Sequence, residues 1–449
     1  MTDGPKEETP TTVPCELRKA IRAGEMRGRW SWVEPNVWTN RMLKALENGV
    51  KGGKWHALID KVYSKKNLWA AFYKVQANAG KPGVDHITIE MFADRLDENL
   101  ERLSHDLRTG RYRPQAIKRV WIPKPGRKEK RPLGIPTVRD RVVQTALLHV
   151  LEPIFEKDFA PHSYGFRPGR GCKDALRQVD GLLKQGFLHV VDADFQSYFD
   201  TISHELLLQL IRVKISDSGI LSLIVSFLGQ RVLDTIHGWT PEQGTPQGAV
   251  ISPLLSNIFL DPLDHLMASA GFEMVRYADD FVILCRSDAD AHRALSLALS
   301  WTSSWGLTLH PDKTVVVDAT RRPGGFDFLG YHFEQGSRWP RKKSLKKFRD
   351  SIRKKTRRTN GQCLCAIIED VNRTLSGWFE YFKHSRPQCF PRLDAWTRMR
   401  LRSILRKRFG GSGRGRGLDN MRWPNAFFAD LGLFSLAAAH ASACQSSLR

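Results

Sequence analysis

The sequence predicts an α+β fold, in which a strand-rich middle region is followed by a helical C-terminal region. Apolar segments of strand length lie at 188–195, 272–276 and 281–285, and a further strand pair is predicted around 117–122. Beyond residue 340 the apolar residues recur at helical spacing instead. Strands and helices that are segregated along a chain are typical of α+β proteins.

The strands at 272–276 and 281–285 flank a pair of adjacent acids, Asp279 and Asp280, in the segment Tyr277–Asp280. This arrangement predicts a β-hairpin with carboxylates at its tip. Neighbouring carboxylates at a turn are unfavourable unless a cation joins them. A solvated Asp-Asp turn is the alternative that this segment alone leaves open.

A second acidic group ends the strand at 188–195. Side chains two residues apart on a strand share a face, so Asp192 and Asp194 are predicted to point the same way. If this strand lies beside the hairpin, Asp194 and Asp279 can hold two Mg²⁺ ions for phosphoryl transfer, the reaction of nucleotide polymerisation. The two acids are about 85 residues apart, whereas a Ca²⁺ loop takes its ligands from a dozen consecutive residues. A polymerase palm is therefore favoured.

The composition predicts a polyanionic partner. The 449 residues carry a net charge of +23, with 70 Lys and Arg against 47 Asp and Glu, and such an excess favours contacts with phosphate. No apolar run approaches the roughly 20 residues of a membrane-spanning helix, and the N-terminus lacks the form of a signal peptide. The seven scattered cysteines indicate reduced thiols. We therefore expect a cytoplasmic, nucleoid-associated protein without a membrane partner.

Seven short motifs occur in the order of one known family. They are Lys124-Pro-Gly with Lys130–Pro136, His162–Pro168, Asp194 with Phe199-Asp200, Pro246–Gly248, Tyr277–Asp280, Gly306–Leu309 and Phe328–Tyr331. On these motifs the chain resembles bacterial group II intron reverse transcriptases/maturases from about Lys61 to Phe434. The resemblance implies a right-hand polymerase that copies RNA into DNA with two Mg²⁺ ions, for which Mn²⁺ can substitute. It also implies binding of group II intron RNA to assist splicing and mobility, with an RNA template, a DNA primer or target and dNTPs as partners.

The domain boundaries expected from this resemblance divide the chain into five parts. They are a partly disordered N-terminal extension (1–60), fingers (61–175), a palm with the acids (176–335), a helical thumb or maturase domain (336–409), and a Gly-rich linker with a short tail (410–449). Only 41 residues follow Arg408 and no paired Cys-x-x-Cys occurs. We therefore expect no HNH endonuclease domain and no cleavage of a second DNA strand.

The resemblance also assigns roles to the acids and to residues around the incoming nucleotide. Asp194, Asp279 and Asp280 are the expected catalytic metal ligands, and Lys313 could protonate departing pyrophosphate, although an ordinary surface lysine is an equal alternative. The expected dNTP contacts are Lys124, Arg131, Phe199, Pro246, Gln247 and Gly248.

Three of these assignments carry a physical reason. Lys124 and Arg131 flank a predicted hairpin turn and suit triphosphate oxygens, although general RNA contact is an alternative. The ring of Phe199 is the expected barrier to a ribose 2′-hydroxyl, with core packing as the alternative. Gly248 forms a tight bend with Gly244 and Pro246 that is predicted to bring the backbone close to another group, and a helix can begin at Ser252 or Pro253.

Two further sites are expected towards the C-terminus. The turn Phe328–Tyr331, made of Phe328, Leu329, Gly330 and Tyr331, resembles the family's primer grip. Between Arg341 and Arg358 lie eleven basic residues and one Asp, which predict an amphipathic helix with a basic RNA-binding face. The expected RNA contacts are Lys346, Lys347, Arg353, Lys354, Lys355, Arg357 and Arg358.

Three other functions remain open from the sequence. A domesticated relative could serve phage defence or spacer acquisition, and a splicing-only maturase could carry an idle polymerase site. The intact pair Asp194 and Asp279 argues against the second. An RNA-dependent RNA polymerase is opposed by Phe199 and by Ala278, where that family usually has Gly.

Overall fold

The computed structural model of the chain describes residues 28–50, 52–123, 130–234, 237–322 and 324–446. The strands in these ranges form three sheets. They are β1 (Ile117–Pro123), β2 (Lys130–Ile135), β3 (His189–Asp194), β4 (Val232–Asp234), β5 (His237–Trp239), β6 (Glu273–Tyr277), β7 (Asp280–Cys285), β8 (Val315–Asp318), β9 (Phe326–Phe328), β10 (Tyr331–Glu334) and β11 (Ser337–Pro340).

Helices surround these sheets and form the whole C-terminal region of the described chain. They are α1 (Asn40–Asn48), α2 (Ile59–Val62), α3 (Lys65–Asn78), α4 (Ile89–Ala93), α5 (Leu96–Arg108), α6 (Val138–Glu156), α7 (Cys172–Lys184), α8 (Tyr198–Thr201), α9 (His204–Lys214), α10 (Ser218–Leu228), α11 (Ser252–Ser269), α12 (Asp288–Ser304), α13 (Lys342–Lys355), α14 (Leu364–Phe382), α15 (Cys389–Arg408), α16 (Asp419–Arg422), α17 (Asn425–Asp430) and α18 (Leu436–Ser446).

The sheet that carries the acids has the order β6-β7-β3-β8, with antiparallel neighbours throughout. Its strands are apolar on both faces, because each face is covered by helices. Val190 and Val282 pack with α7 on one side, whereas Val191 and Ile283 belong to the core that includes α12 on the other. The strands predicted on either side of Tyr277–Asp280 are thus confirmed as the hairpin β6–β7.

A second sheet has the strand order β2-β1-β4-β5. The strand pair predicted around 117–122 is confirmed as β1 with β2, which are antiparallel. The structure differs from the expected boundaries because β4 joins β1 in parallel from within the predicted palm segment. This sheet is therefore built from two separate stretches of chain, a pairing that sequence spacing could not indicate.

The described part of the N-terminal segment contributes to the apolar core. The disordered tail predicted for its beginning falls on residues 1–27, which lie outside the described residues. From residue 28 onward, however, Trp30, Trp38 and Leu43 are buried in the same apolar core as α6 and the palm strands. The segment that follows the tail is therefore part of the core, since its large apolar side chains are covered.

The three helices predicted for the thumb are confirmed as α13, α14 and α15. The region after α15 differs from the expected linker and tail, because Trp423, Phe428 and Leu436 are buried in the thumb core. A Cβ added to Gly415 would lie 2.5 Å from the Cβ of Arg402 on α15. The Gly-rich stretch therefore packs against the thumb and does not form a free hinge.

Two smaller observations concern the environment of the chain. No helix in the described ranges is long and apolar enough to cross a membrane. The six cysteines of the described chain are free thiols, in agreement with the expected reduced state.

Candidate active site

The structure brings the predicted acids together at one end of the palm sheet. Strand β3 ends at Asp194, which pairs in register with Asp280 at the start of β7. Asp279 lies beside them in the two-residue turn between β6 and β7, where Ala278 has a positive φ of 60°. A positive φ at the first central turn position is a feature of tight hairpins whose turn matches the strand twist. The hairpin thus holds Asp279 next to the end of β3.

The pKa values of these carboxyls report an excess of negative charge. Burial and then the Asp194 charge raise the pKa of Asp279. Burial, followed by the charges of Asp192, Asp279 and Asp194, raises the pKa of Asp280 to about 7. Because like charges in a partly buried site oppose ionisation, a cation at this position would favour the charged forms. The electrostatics therefore suit a cation site.

A further acid, Asp327 on β9, was missed by the sequence analysis. After burial, its charge is the largest influence that raises the pKa of Asp192 to about 7. His332 on β10 contacts the Asp327 carboxylate, with 2.8 Å between Nδ1 and Oδ1. Asp327 directly precedes the Phe328–Tyr331 motif, which was the only signal in the sequence. Among the neighbouring charges, that of Asp192 has the largest influence on the pKa of Asp280. Asp280 is therefore coupled most closely to the pair of Asp192 and Asp327.

Lys313 is placed on the predicted site, where its Nζ forms an ion pair with Asp194 Oδ2. The loop before it is fixed to the end of β3, because His310 N donates to Asp194 O at 2.7 Å and Gln196 N donates to Thr308 O at 2.8 Å. Both charged side chains are partly exposed, at 43% for Lys313 and 40% for Asp194. Lys313 therefore provides a positive charge directly beside Asp194.

The carboxylates at the end of the palm sheet are candidate ligands for a divalent metal ion. The described residues contain no group of three or more His, Cys, Asp and Glu side chains arranged to hold a metal ion. Mg²⁺ at phosphoryl-transfer sites is, however, commonly bound by one or two carboxylates, with substrate phosphates and water as the other ligands. Asp194 and Asp279 fit that partial shell, and the raised pKa of Asp279 agrees with it.

A buried polar network holds the tip of the hairpin. Arg276 is fully buried and forms an ion pair with Asp264 on α11, with Nε donating to Oδ1 at 2.7 Å. Its Nη1 also donates to Asn257 Oδ1 at 3.1 Å and to Ala278 O at 2.9 Å. Burial acts to lower the pKa of Arg276, but the Asp264 charge outweighs it and the pKa lies above its usual value. The turn before Asp279 is thereby bound to α11.

Gly165 completes this support from the other side. Asn257 Nδ2 donates to Gly165 O at 2.8 Å, and a Cβ at Gly165 would lie 2.3 Å from Ala278 N. Such a distance is shorter than any allowed contact, so only glycine fits beside the turn. In the sequence, Gly165 stood out only as a member of the His162–Pro168 motif, and no pattern indicated a role for Asn257.

The predicted bend at Pro246–Gly248 is confirmed as a close approach to the fingers. Gly134 N on β2 donates to Gln247 O at 2.6 Å. Gly248 has a φ of 111°, and a Cβ there would lie 2.4 Å from Gly134 O. The helix predicted at Ser252 is confirmed as the start of α11. The bend therefore joins the fingers sheet to the helix that supports Arg276.

The other expected dNTP contacts are distributed around this bend. Phe199, Pro246 and Gln247 border a cavity of about 730 Å³, but neither Asp194 nor Asp279 lines it. Phe199 lies on the short helix α8, with its ring centroid 5.3 Å from that of Tyr198. Arg131 lies on β2. Lys124 and the predicted turn after it fall outside the described residues.

The expected primer-grip turn connects β9 and β10, with positive φ at Leu329 (45°) and Gly330 (88°). Phe328 and Tyr331 are at most 1% exposed, so their rings are core residues and cannot contact a primer. The thumb holds the turn, because Tyr381 on α14 donates its hydroxyl to Leu329 O at 2.7 Å. The primer contact of this turn stays a prediction, in which Leu329 and Gly330 occupy the turn itself.

The predicted basic face of α13 is partly occupied. Lys355 donates to Asp370 Oδ1 at 2.9 Å and Arg353 to Asp350 Oδ1 at 2.6 Å, so both are paired within the thumb. The remaining residues of the predicted RNA-binding set are exposed. They are Lys346, Lys347, Lys354, Arg357 and Arg358. The structure therefore leaves a smaller basic face than the sequence predicts.

Comparison with known proteins identifies two family matches. The model of the reverse transcriptase (RNA-dependent DNA polymerase) family matches residues 122–333. The model of the group II intron, maturase-specific domain matches residues 345–423, which include most of α13 and all of α14 and α15. The first match contains the palm acids Asp192, Asp194, Asp279, Asp280 and Asp327.

Three curated proteins are similar to the chain. Protein YkfC of Escherichia coli is 42% identical over 56% of this chain and 76% of its own length. Group II intron-encoded protein LtrA of Lactococcus lactis is 36% identical over 44% of this chain and 33% of its own length. The putative COX1/OXI3 intron 1 protein of Saccharomyces cerevisiae is 28% identical over 78% of this chain and 48% of its own length. The chain thus spans half or less of these two intron proteins.

The close fit of Gly165 against the hairpin predicts a specific cost of adding one methyl group. We expect Gly165→Ala to destabilise the protein by about 1–3 kcal/mol, because Ala278 or the glycine backbone must move. Denaturant unfolding measures this change. The matched control is Gly181→Ala within α7, where a Cβ meets nothing within 4 Å. There alanine should raise the free energy of unfolding by up to about 1 kcal/mol, because it favours the helix more than glycine does. Equal stability of the two variants would contradict the fit.

Proposed function

The chain belongs to the group II intron reverse transcriptase and maturase family, and from this premise we propose that it extends a primer on an RNA template with dNTPs. The observation that supports the proposal is the convergence of Asp194 and Asp279 at the end of the palm sheet. A reverse transcriptase domain implies dependence on a divalent metal and an RNA partner. That the metal is a pair of Mg²⁺ ions, and that the primer is DNA, is part of the proposal.

Asp194 and Asp279 are the proposed metal ligands, and Asp280 supports them. Two Mg²⁺ ions bound there would activate the primer hydroxyl and stabilise the leaving oxygen. Lys313 is proposed to leave Asp194 for the departing pyrophosphate and to give it a proton, since an ammonium group within reach can act as a general acid. Asp280 lies opposite Asp194 in the strand pairing, and Asp192 is its strongest charged neighbour.

The thumb is proposed to hold group II intron RNA. The maturase-specific match covers α14 and α15 together with most of α13, whose exposed lysines suit phosphate contacts. Trp378 and Phe382 on α14 belong to the thumb and palm cores, so base stacking is not assigned to them. For the domains we propose the boundaries expected from the sequence, with β4 and β5 added to the fingers.

Loss of either predicted metal ligand should stop synthesis. We expect Asp194→Ala or Asp279→Ala to abolish extension of a DNA primer on RNA with dNTPs and Mg²⁺, while RNA binding stays nearly intact. Gel-based extension and filter binding measure the two effects. The matched control is Asp312→Ala, an exposed acid in the same loop as Lys313, which should extend normally. Equal loss of RNA binding in the two acid variants would mean that these acids are structural.

The ring of Phe199 is the proposed barrier to ribose. We expect Phe199→Val to raise the incorporation of rNTPs relative to dNTPs by at least about tenfold, because steric exclusion by the ring is lost. Single-nucleotide incorporation efficiencies for the two sugars give the ratio. If the ratio stays unchanged while the protein remains folded, Phe199 is a packing residue and the barrier lies elsewhere.

The exposed basic face of α13 should contribute to RNA binding without sequence preference. Neutralising Lys346, Lys347 and Lys354 together should weaken binding and flatten the slope of log affinity against log salt by ~0.7–0.9 per lost phosphate contact. Lys355→Ala is the matched control, because its charge pairs with Asp370 and its loss should leave the salt slope unchanged.

The maturase role adds a requirement for RNA selectivity. The unmodified protein should bind one folded group II intron more tightly than an unrelated RNA of equal length at physiological salt. Competition binding measures this preference, and the triple lysine variant should weaken both complexes by similar factors. A protein without any preference would argue for a general reverse transcriptase and against the maturase assignment.

A further inference from the structure

A cavity of about 620 Å³ in the thumb is not used by the proposed polymerase chemistry. One wall is a face of α15 that contains Arg398, Met399 and Arg402, which are spaced so that they lie on one side of the helix. The other walls come from the segment 415–425, which includes Arg416 of the Gly-rich stretch. None of the described palm acids or dNTP contacts lines this cavity, so it is separate from the polymerase site.

The Gly-rich stretch 410–417 is packed so that it brings Arg416 to this cavity. Gly415 N donates to Ser403 Oγ at 2.9 Å, and a Cβ at Gly415 would lie 2.5 Å from the Cβ of Arg402. Only glycine allows the stretch to approach α15 so closely. The next residue, Arg416, is thereby held beside α15 at the edge of the cavity.

Arg402 is the most deeply buried charged residue of the lining, at 5% exposed. Its Nε donates to Trp423 O at 2.8 Å, and its Nη2 donates to Asn425 Oδ1 at 2.9 Å. The guanidinium carbon also lies 5.2 Å from the ring centroid of Phe428. These contacts hold the guanidinium in one orientation, but because both hydrogen-bond acceptors are neutral they do not compensate its charge.

The charges around Arg402 leave an excess of positive charge in the cavity. Arg398 lies one turn away on the same helix, and like charges at this spacing repel each other. Burial, and then the charge of Arg398, lowers the pKa of Arg402, whereas the charge of Asp419 acts in the other direction. Asp419 is itself paired, because Arg406 Nη1 donates to its Oδ2 at 2.7 Å. No Asp or Glu of the described residues lines the cavity, so a bound anion would relieve the repulsion.

A second, independent observation points to a ligand. The Nε of Arg398 is buried and has no hydrogen-bond partner among the described residues. A buried donor without an acceptor is costly, and phosphate oxygens are acceptors that a guanidinium can bind through two parallel hydrogen bonds. The lining also contains the ring of Trp396 and the side-chain amide of Asn420. A nucleobase can stack on such a ring and bond such an amide through its polar edge.

We propose that this thumb cavity binds a nucleoside polyphosphate. The phosphate chain contacts Arg398, Arg402 and Arg416, and the base stacks on Trp396. An internal phosphodiester of RNA carries one negative charge, which would leave two of the three guanidinium charges uncompensated. A polyphosphate chain carries one charge on each inner phosphate and about −1.5 to −2 on the terminal one, so it matches the cavity better. A free nucleotide and the 5′-triphosphate end of an RNA both present these groups.

The test measures binding of inorganic tripolyphosphate and of ATP to the full chain by isothermal titration calorimetry. EDTA is present, so that no divalent cation joins either probe to the palm acids. Arg398→Gln combined with Arg416→Gln should weaken binding of both probes by at least about tenfold, because charge-assisted hydrogen bonds are lost. The matched control is Lys407→Gln combined with Arg414→Gln. It removes the same charge from exposed residues of the same region that do not line the cavity, and it should bind both probes normally.

Two further comparisons identify the base contact and the source of the ligand. Trp396→Leu should weaken binding of ATP and leave that of tripolyphosphate unchanged, a difference that damage to the fold would not produce. An RNA with a 5′-triphosphate is then compared with the same RNA bearing a 5′-hydroxyl. A preference for the triphosphate form that is lost in the double arginine variant identifies RNA 5′ ends as the ligand. Binding of ATP without such a preference identifies a free nucleotide.

Two outcomes overturn the proposal. One is equal affinity of the double arginine variant and its control for tripolyphosphate. The other is equal weakening of the two RNAs by the double arginine variant, because the cavity would then bind internal phosphodiesters as part of a general RNA surface. The triple lysine variant of α13 should keep full affinity for tripolyphosphate, which separates this cavity from the proposed RNA-binding face. None of these measurements requires primer extension, so failure of the polymerase proposal leaves this one standing.

Discussion

The buried ion pair between Arg276 and Asp264 is the contact on which the position of the acids depends. Both side chains are almost completely buried, so removal of one partner would leave an uncompensated charge, at a cost of about 3–5 kcal/mol. The same guanidinium bonds the carbonyl of Ala278, which immediately precedes Asp279. The turn next to the repelling carboxylates is thereby fixed from inside the protein.

The charges of the acids act against this fixed arrangement, because mutual repulsion and burial raise the pKa values of Asp279 and Asp280. Lys313 reduces this repulsion at Asp194. Carboxylates that are held in place by the backbone but repel one another are suited to bind cations tightly when the substrate brings them. The structure therefore combines fixed carboxylates with a partly exposed lysine that is paired to one of them.

The palm and thumb are joined at the β9–β10 turn rather than by a flexible segment. Leu329 and Gly330 are held by Tyr381 and Ser344, which belong to the two helices α14 and α13. A displacement of the thumb by bound RNA would therefore be transmitted to this turn. On the opposite side, the bend through Gln247 joins the fingers to α11. Strand β9 and helix α11 both contact the sheet that carries the acids.

The sequence by itself determined the local features: the hairpin around Asp279, the strand ending at Asp194, the start of α11 and the three thumb helices. Each depends on residue patterns within about twenty positions, where periodicity and turn residues are sufficient. The tertiary structure alone decided the pairing of Arg276 with Asp264, the cost of a side chain at Gly165, the union of β4 with β1 and the burial of the C-terminal segment. These depend on contacts between distant segments, and a side chain such as Arg276 reads as an ordinary strand residue until its partner is packed against it.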